Sequence, residues 1–198
     1  DVDLSQLRYY CAWDLAIGQR DRNDYSVGIV VGVDEYDNMY VVDTVRGKFD
    51  GFELVEQILD LYETWRPGIV GIEKGHIEMA IGPFLEKRVQ ERRLHEAYFK
   101  DLKVGRRDKE ARARAIQGRM QQGMVYFPKE TVWTGPLVAE LLRFPNGTHD
   151  DQVDALAWIG LMMTEFATFY ERLAPEPSWR DRLRHLVKSD NKKTAMSA

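Results

Sequence analysis

The chain has 198 residues, a hydrophobic share of 44% and a formal net charge of -4, which suits one compact domain with an ordinary core. No run reaches the ~18 or more unbroken apolar residues of a membrane span, and the opening Asp1-Val2-Asp3-Leu4 does not read as a signal peptide. The one cysteine, Cys11, can form no internal disulfide and excludes a cysteine-built zinc site, so the cytoplasm is the expected setting.

The first third alternates in the manner of half-buried strands. Residues 9–17, 25–33 and 39–46 are rich in Val, Ile, Tyr and Trp, and the connections at 18–24 and 34–38 are turn-rich, so an antiparallel meander of three strands is expected. Phe52, Val55, Ile58, Leu59 and Tyr62 then recur at helical spacing, and Pro67-Gly68 closes that helix before a buried strand at 69–73. A helix at 77–93, a strand at 97–104, a helix at 108–122 closed by Gly123, and a short strand at 124–128 continue the alternation. The last elements are helices at 137–144 and from Asp150 or Asp151 to about 170, separated by the turn Pro145-Asn146-Gly147. This order predicts an α/β fold with a mixed sheet, the meander joined by parallel strands and flanked by helices. Residues 1–174 are expected to form the domain. In the remaining 175–198, Pro175-Glu176-Pro177 reads as a linker, 179–187 as a short amphipathic helix and 188–198 as a polar tail.

Acids stand at the ends of apolar runs. Asp14 ends Tyr9-Tyr10-Cys11-Ala12-Trp13-Asp14, Glu73 ends Ile69-Val70-Gly71-Ile72-Glu73, and His149-Asp150-Asp151-Gln152-Val153-Asp154 leads into the last large helix. Three acidic stations on different elements, with no His/Cys cage, are the donor set that a hard divalent cation requires. They suit two-metal phosphodiester chemistry if they converge. Asp151 and Asp154 are spaced i,i+3 and Asp150 and Asp154 i,i+4, so either pair can share a helix face. Asp151 is the preferred ligand, Asp154 an alternative, and Asp150 a ligand or a helix cap. Asp24, Lys74 and His149 are weaker candidates for supporting roles, and Trp13, Trp65, Trp133 and Trp158 fall in apolar patterns as core residues.

Charge is unevenly distributed. Between Glu86 and Arg119 basic residues outnumber acidic ones by twelve to six. Such a stripe is either a salt-bridged helix surface or, beside an acidic metal site, a surface for phosphates.

In the order of these pieces the chain resembles the ribonuclease-H-like nucleases, and among them the C-terminal nuclease domain of the large terminase subunit of tailed bacteriophages. The carriers are Asp14, Asp24-Tyr25-Ser26, Glu73, the segment Arg106-Arg107-Asp108-Lys109-Glu110-Ala111-Arg112 followed by Gly123-Met124-Val125-Tyr126-Phe127-Pro128, and His149-Asp150-Asp151-Gln152-Val153-Asp154-Ala155-Leu156. The resemblance implies a ribonuclease-H-like sheet and a metal-dependent endodeoxyribonuclease that cuts concatemeric viral DNA during genome packaging in the cytoplasm of the infected bacterial host. It implies two Mg2+ or Mn2+ ions, held by acids among Asp14, Glu73, Asp150, Asp151 and Asp154, with Asp14, Glu73 and Asp151 catalytic. Arg106, Arg107, Lys109 and Arg112 would contact the backbone of double-stranded DNA, which gives affinity without base readout. The implied partners are a terminase ATPase domain, the portal and the small terminase subunit. The phosphate-loop pattern of such an ATPase does not occur in this sequence, which reads as an excised nuclease domain. Two alternatives are a junction resolvase of the RuvC type and a non-catalytic module that binds DNA or the portal.

Overall fold

The computed structural model describes residues 2–16, 25–73, 81–102, 109–147 and 150–173. The expectations for Asp24, Lys74, Arg106, Arg107, His149 and residues 175–198 lie outside the described residues. Two compact units, Asp1–Met163 and Thr164–Ala198, divide the chain.

A short 3-10 turn, Leu4–Gln6, precedes the sheet. The strands are β1 Arg8–Asp14, β2 Ser26–Val33, β3 Met39–Gly47, β4 Ile69–Glu73, β5 Phe99–Leu102 and β6 Val125–Tyr126. They lie in the order β5-β4-β1-β2-β3-β6. β1, β2 and β3 form the expected antiparallel meander, while β4 runs parallel to β1, β5 parallel to β4 and β6 parallel to β3. All eight residues of β2 are buried, as befits an apolar strand paired on both edges.

The helices are α1 Gly51–Trp65, α2 Gly82–Glu91, α3 Lys109–Gln121, α4 Thr134–Arg143 and α5 Asp151–Leu173. α1 opens on a capping box in which the Asp50 side chain takes the N–H groups of Phe52 and Glu53 while Glu53 takes that of Asp50. It ends where Arg66 turns into the left-handed region at φ 46°. Its apolar stripe, Leu54, Val55, Ile58, Leu59 and Tyr62, shares one core cluster with Cys11, Trp13, Val70 and Ile72. α4 starts three residues before the expected Leu137, because Pro136 sits in the first turn, where a missing N–H leaves no hydrogen bond unmade.

Strand alternation then decides which side chains leave that core. Trp13 and Ile72 belong to the α1 cluster, so Asp14 and Glu73, one residue further on, turn to the opposite face. Gly71 lies on that second face, where an added Cβ would come within 2.6 Å of Met162 Sδ of α5. On the first face the Trp13 ring lies so close over Gly28 that a Cβ there would meet it at 2.5 Å. Trp13 and Trp158 are buried as expected, whereas Trp65 and Trp133 are only partly covered.

Candidate active site

Two of the three acidic stations are brought together by strand register. β1 and β4 pair in parallel from Tyr10 opposite Ile69 to Trp13 opposite Ile72. The next residues on the two strands are Asp14 and Glu73, so the carboxylates project from one face, one strand spacing of ~4.8 Å apart at the backbone. Both sit at the carboxyl ends of adjacent parallel strands, where open α/β sheets place their ligands. Each is half-buried.

The third station is built by three helices. Asp150 stands at the N-cap position of α5, and its carbonyl accepts the Asp154 N–H at 2.9 Å. The next two backbone donors are satisfied from another helix. Glu140 of α4, itself buried, accepts the N–H of Gln152 at 2.7 Å and of Val153 at 3.3 Å, and the Gln152 side-chain amide at 2.6 Å. Its negative charge at a helix N-terminus is also favoured by the helix dipole. The sequence reading missed this residue. Its signal was a glutamate on the apolar stripe of Leu137 and Leu141 in α4 and Phe144 just beyond it, a position that a solvated acid would not occupy.

Asp154 is buried and bound to Arg112 of α3, with Nη2 to Oδ1 at 3.2 Å. The Arg112 guanidinium lies 4.9 Å from the centre of the Trp158 ring, and its side chain is 10% exposed. Arg112 is therefore engaged inside the protein, where it neutralises Asp154, rather than presented on the surface for a phosphate. The side chain of Lys109 lies outside the described residues.

Among the described residues no group of three or more His, Cys, Asp or Glu side chains is assembled closely enough to hold a metal ion. The strand pair Asp14 and Glu73 is thus formed by register, while the α5 acids are not gathered with it into one cluster. By chemistry the donors fit: they are all carboxylates, with no sulfur or imidazole among them, as Mg2+ and Mn2+ prefer.

Part of the basic stripe is taken up by ion pairs among the described residues. Arg88 binds Glu56 and Glu91, each at 2.5 Å, and Arg92 binds Glu56 together with Asp60 and Glu63, the last two at 2.6 Å. This network ties α2 to α1 and holds the Glu56 carboxyl down at about 2, chiefly through its hydrogen bond from Arg88.

The family model described as the terminase RNaseH-like domain matches residues 11–163. No curated protein sequence matches the chain. Among solved structures, the large terminase nuclease from thermophilic phage G20c is similar at 18% identity and a TM-score of 0.56, over 78% of this chain and 81% of that one. A large terminase from another thermophilic bacteriophage aligns at 11% identity and a TM-score of 0.55, over 79% of this chain but only 39% of its own length. The fowlpox virus Holliday junction resolvase aligns at 12% identity and a TM-score of 0.48, over 80% of this chain and 99% of that one. At these identities the likeness to solved structures is one of fold.

Proposed function

The chain belongs to the terminase RNaseH-like domain family, and from that premise we propose that it is a metal-dependent endodeoxyribonuclease, the nuclease part of a large terminase subunit that cuts concatemeric viral DNA. The observation that carries this reading is the register placing Asp14 beside Glu73 at the carboxyl ends of two adjacent strands. Two like charges side by side repel, and a divalent cation relieves that repulsion.

Asp14 and Glu73 would hold the ions, and Asp151, with Asp150 as a further candidate, would have to close on them from α5, since the described acids do not form one cluster. When bound, such ions supply an activated water and stabilise the departing 3'-oxygen. The protein's own contribution is placement. β1 and β4 hold two carboxylates in fixed relation, and Glu140 fixes the start of α5 and with it the position of Asp151. Arg112 pairs with Asp154, which supports Asp154 as a positioning residue and Asp151 as the preferred ligand on α5. Arg106, Arg107 and Lys109 would meet DNA phosphates, giving salt-dependent binding without base readout. A terminase ATPase domain, the portal and the small terminase subunit are the proposed partners, in the cytoplasm of the infected bacterial host.

The test is incubation of supercoiled plasmid with the protein in Mg2+, Mn2+ or EDTA, with Asp14→Ala and Glu73→Ala alongside. Nicking and linearisation that need metal and disappear in both variants support the reading. Cleavage that persists in Asp14→Ala refutes the site, and binding of DNA without cleavage in either metal refutes catalysis by this chain. A four-way junction run in parallel separates a resolvase, which would prefer it over linear duplex.

A further inference from the structure

The row of residues that contains Glu73 and Asp14 continues across the sheet. Asp14 pairs with Val27 of β2, and Val27 pairs with Arg46 of β3. Residues paired across strands share a face, so Arg46 rises from the same face of the sheet as the two carboxylates. Two strand spacings, ~10 Å at the backbone, separate it from Asp14. Tyr25 lies one residue before β2 and Lys48 one residue after β3, both next to this row.

These three side chains form a unit. The Arg46 guanidinium lies 3.9 Å from the centre of the Tyr25 ring, and the Lys48 ammonium 5.1 Å from it. Arg46 and Lys48 are exposed, and neither makes a salt bridge with any described carboxylate. That sets them apart from Arg88, Arg92 and Arg112, whose guanidinium groups are paired with carboxylates among Glu56, Asp60, Glu63, Glu91 and Asp154. A guanidinium held close to a ring is oriented and loses part of its rotamer freedom before any ligand arrives. Donors not engaged by a carboxylate remain available to phosphate oxygens.

We propose that Arg46 and Lys48, oriented by Tyr25, form a backbone clamp that grips the DNA strand beside its cleavage point. Phosphates follow one another every ~3.4 Å of helix axis along one strand, so a group ~10 Å from the carboxylates meets a phosphate within about three nucleotides of the scissile one. The clamp rests on the nuclease reading. It adds a second contact surface, on the strand side of the site, to the basic segment that precedes and opens α3.

The test is fluorescence anisotropy on a short labelled duplex over a salt series, with plasmid cleavage kinetics in Mn2+, for wild type, Arg46→Gln/Lys48→Gln, Arg46→Lys and Tyr25→Leu. The double variant is expected to lower the slope of log affinity against log salt by about 1.8, or ~0.9 per phosphate contact, and to weaken binding about eightfold per contact at ~0.1 M salt. In cleavage the loss is expected in KM. Arg46→Lys retains the slope, and Tyr25→Leu weakens binding although no charge has changed. Both basic side chains are exposed, so unchanged melting temperatures separate these effects from misfolding. Wild-type binding and cleavage with an unaltered double variant would overturn the clamp alone. A wild type that neither binds nor cuts DNA would overturn the nuclease reading and the clamp with it.

Discussion

Removal of the Glu140 carboxylate is the sharpest probe of how this structure places its third acidic station. Glu140→Ala deprives two backbone N–H groups in the first turn of α5 and the Gln152 amide of a charged acceptor. Hydrogen bonds to charged groups contribute ~1.5–3 kcal/mol each, but the Val153 bond is long at 3.3 Å and shares Oε1 with that of Gln152. Relief from burying a carboxylate offsets a further part, so a net loss of about 3–4 kcal/mol is expected. At ~2–4 °C per kcal/mol for a chain of this size, that lowers the melting temperature by roughly 10 °C. Glu140→Gln keeps an acceptor for the backbone donors and should lose about half as much. The assays are thermal unfolding and hydrogen exchange at the start of α5. Slow exchange of the Gln152 and Val153 amides in Glu140→Ala, with a melting temperature within ~2 °C of wild type, would refute the argument that Glu140 holds this helix end.

A double-mutant cycle on Arg112 and Asp154 tests the buried pair. Each single change, Arg112→Met or Asp154→Leu, strands a charge in the interior and should destabilise by ~3–5 kcal/mol, while the double change should be far milder than the sum. Additive single effects in urea unfolding would count against the pair. Glu56 titrates at about 2, below its ordinary 4.5, so its contribution is fully present above pH 4.5 and is lost as pH falls towards 2. The side chain is 32% exposed, and with screening the contribution is ~1–2 kcal/mol. Glu56→Gln should flatten the acid limb of stability against pH, and an identical acid limb in the variant would refute the assignment. Burial pushes the Cys11 thiol well above its ordinary value, so a thiol reagent at pH 8 should label the protein only after unfolding. Rapid labelling of the native state would contradict the buried position.

The order of elements was legible in the chain because period and punctuation are local properties. The apolar stripe of α1 and the stop at Pro67-Gly68 could both be read there, as could the alternation of β1 to β3. Asp14 and Glu73 were legible as ligand candidates since each ends an apolar strand. Their adjacency depends on β4 joining β1 in parallel with one particular register, and a slip of one residue would have turned one of them to the other face. Arg112 shows the limit most plainly. In the sequence it belongs to a basic run and reads as a surface contact, yet α3 carries it against α5, where Asp154 and Trp158 receive it. Arg46 was inconspicuous in sequence, a single basic residue ending a strand, and only lateral pairing through Val27 sets it in line with Asp14. The chain by itself determined its elements and the acids at their ends. Which acids meet, which arginine is buried and which faces the site are properties of pairs distant in sequence, and only tertiary packing decided them.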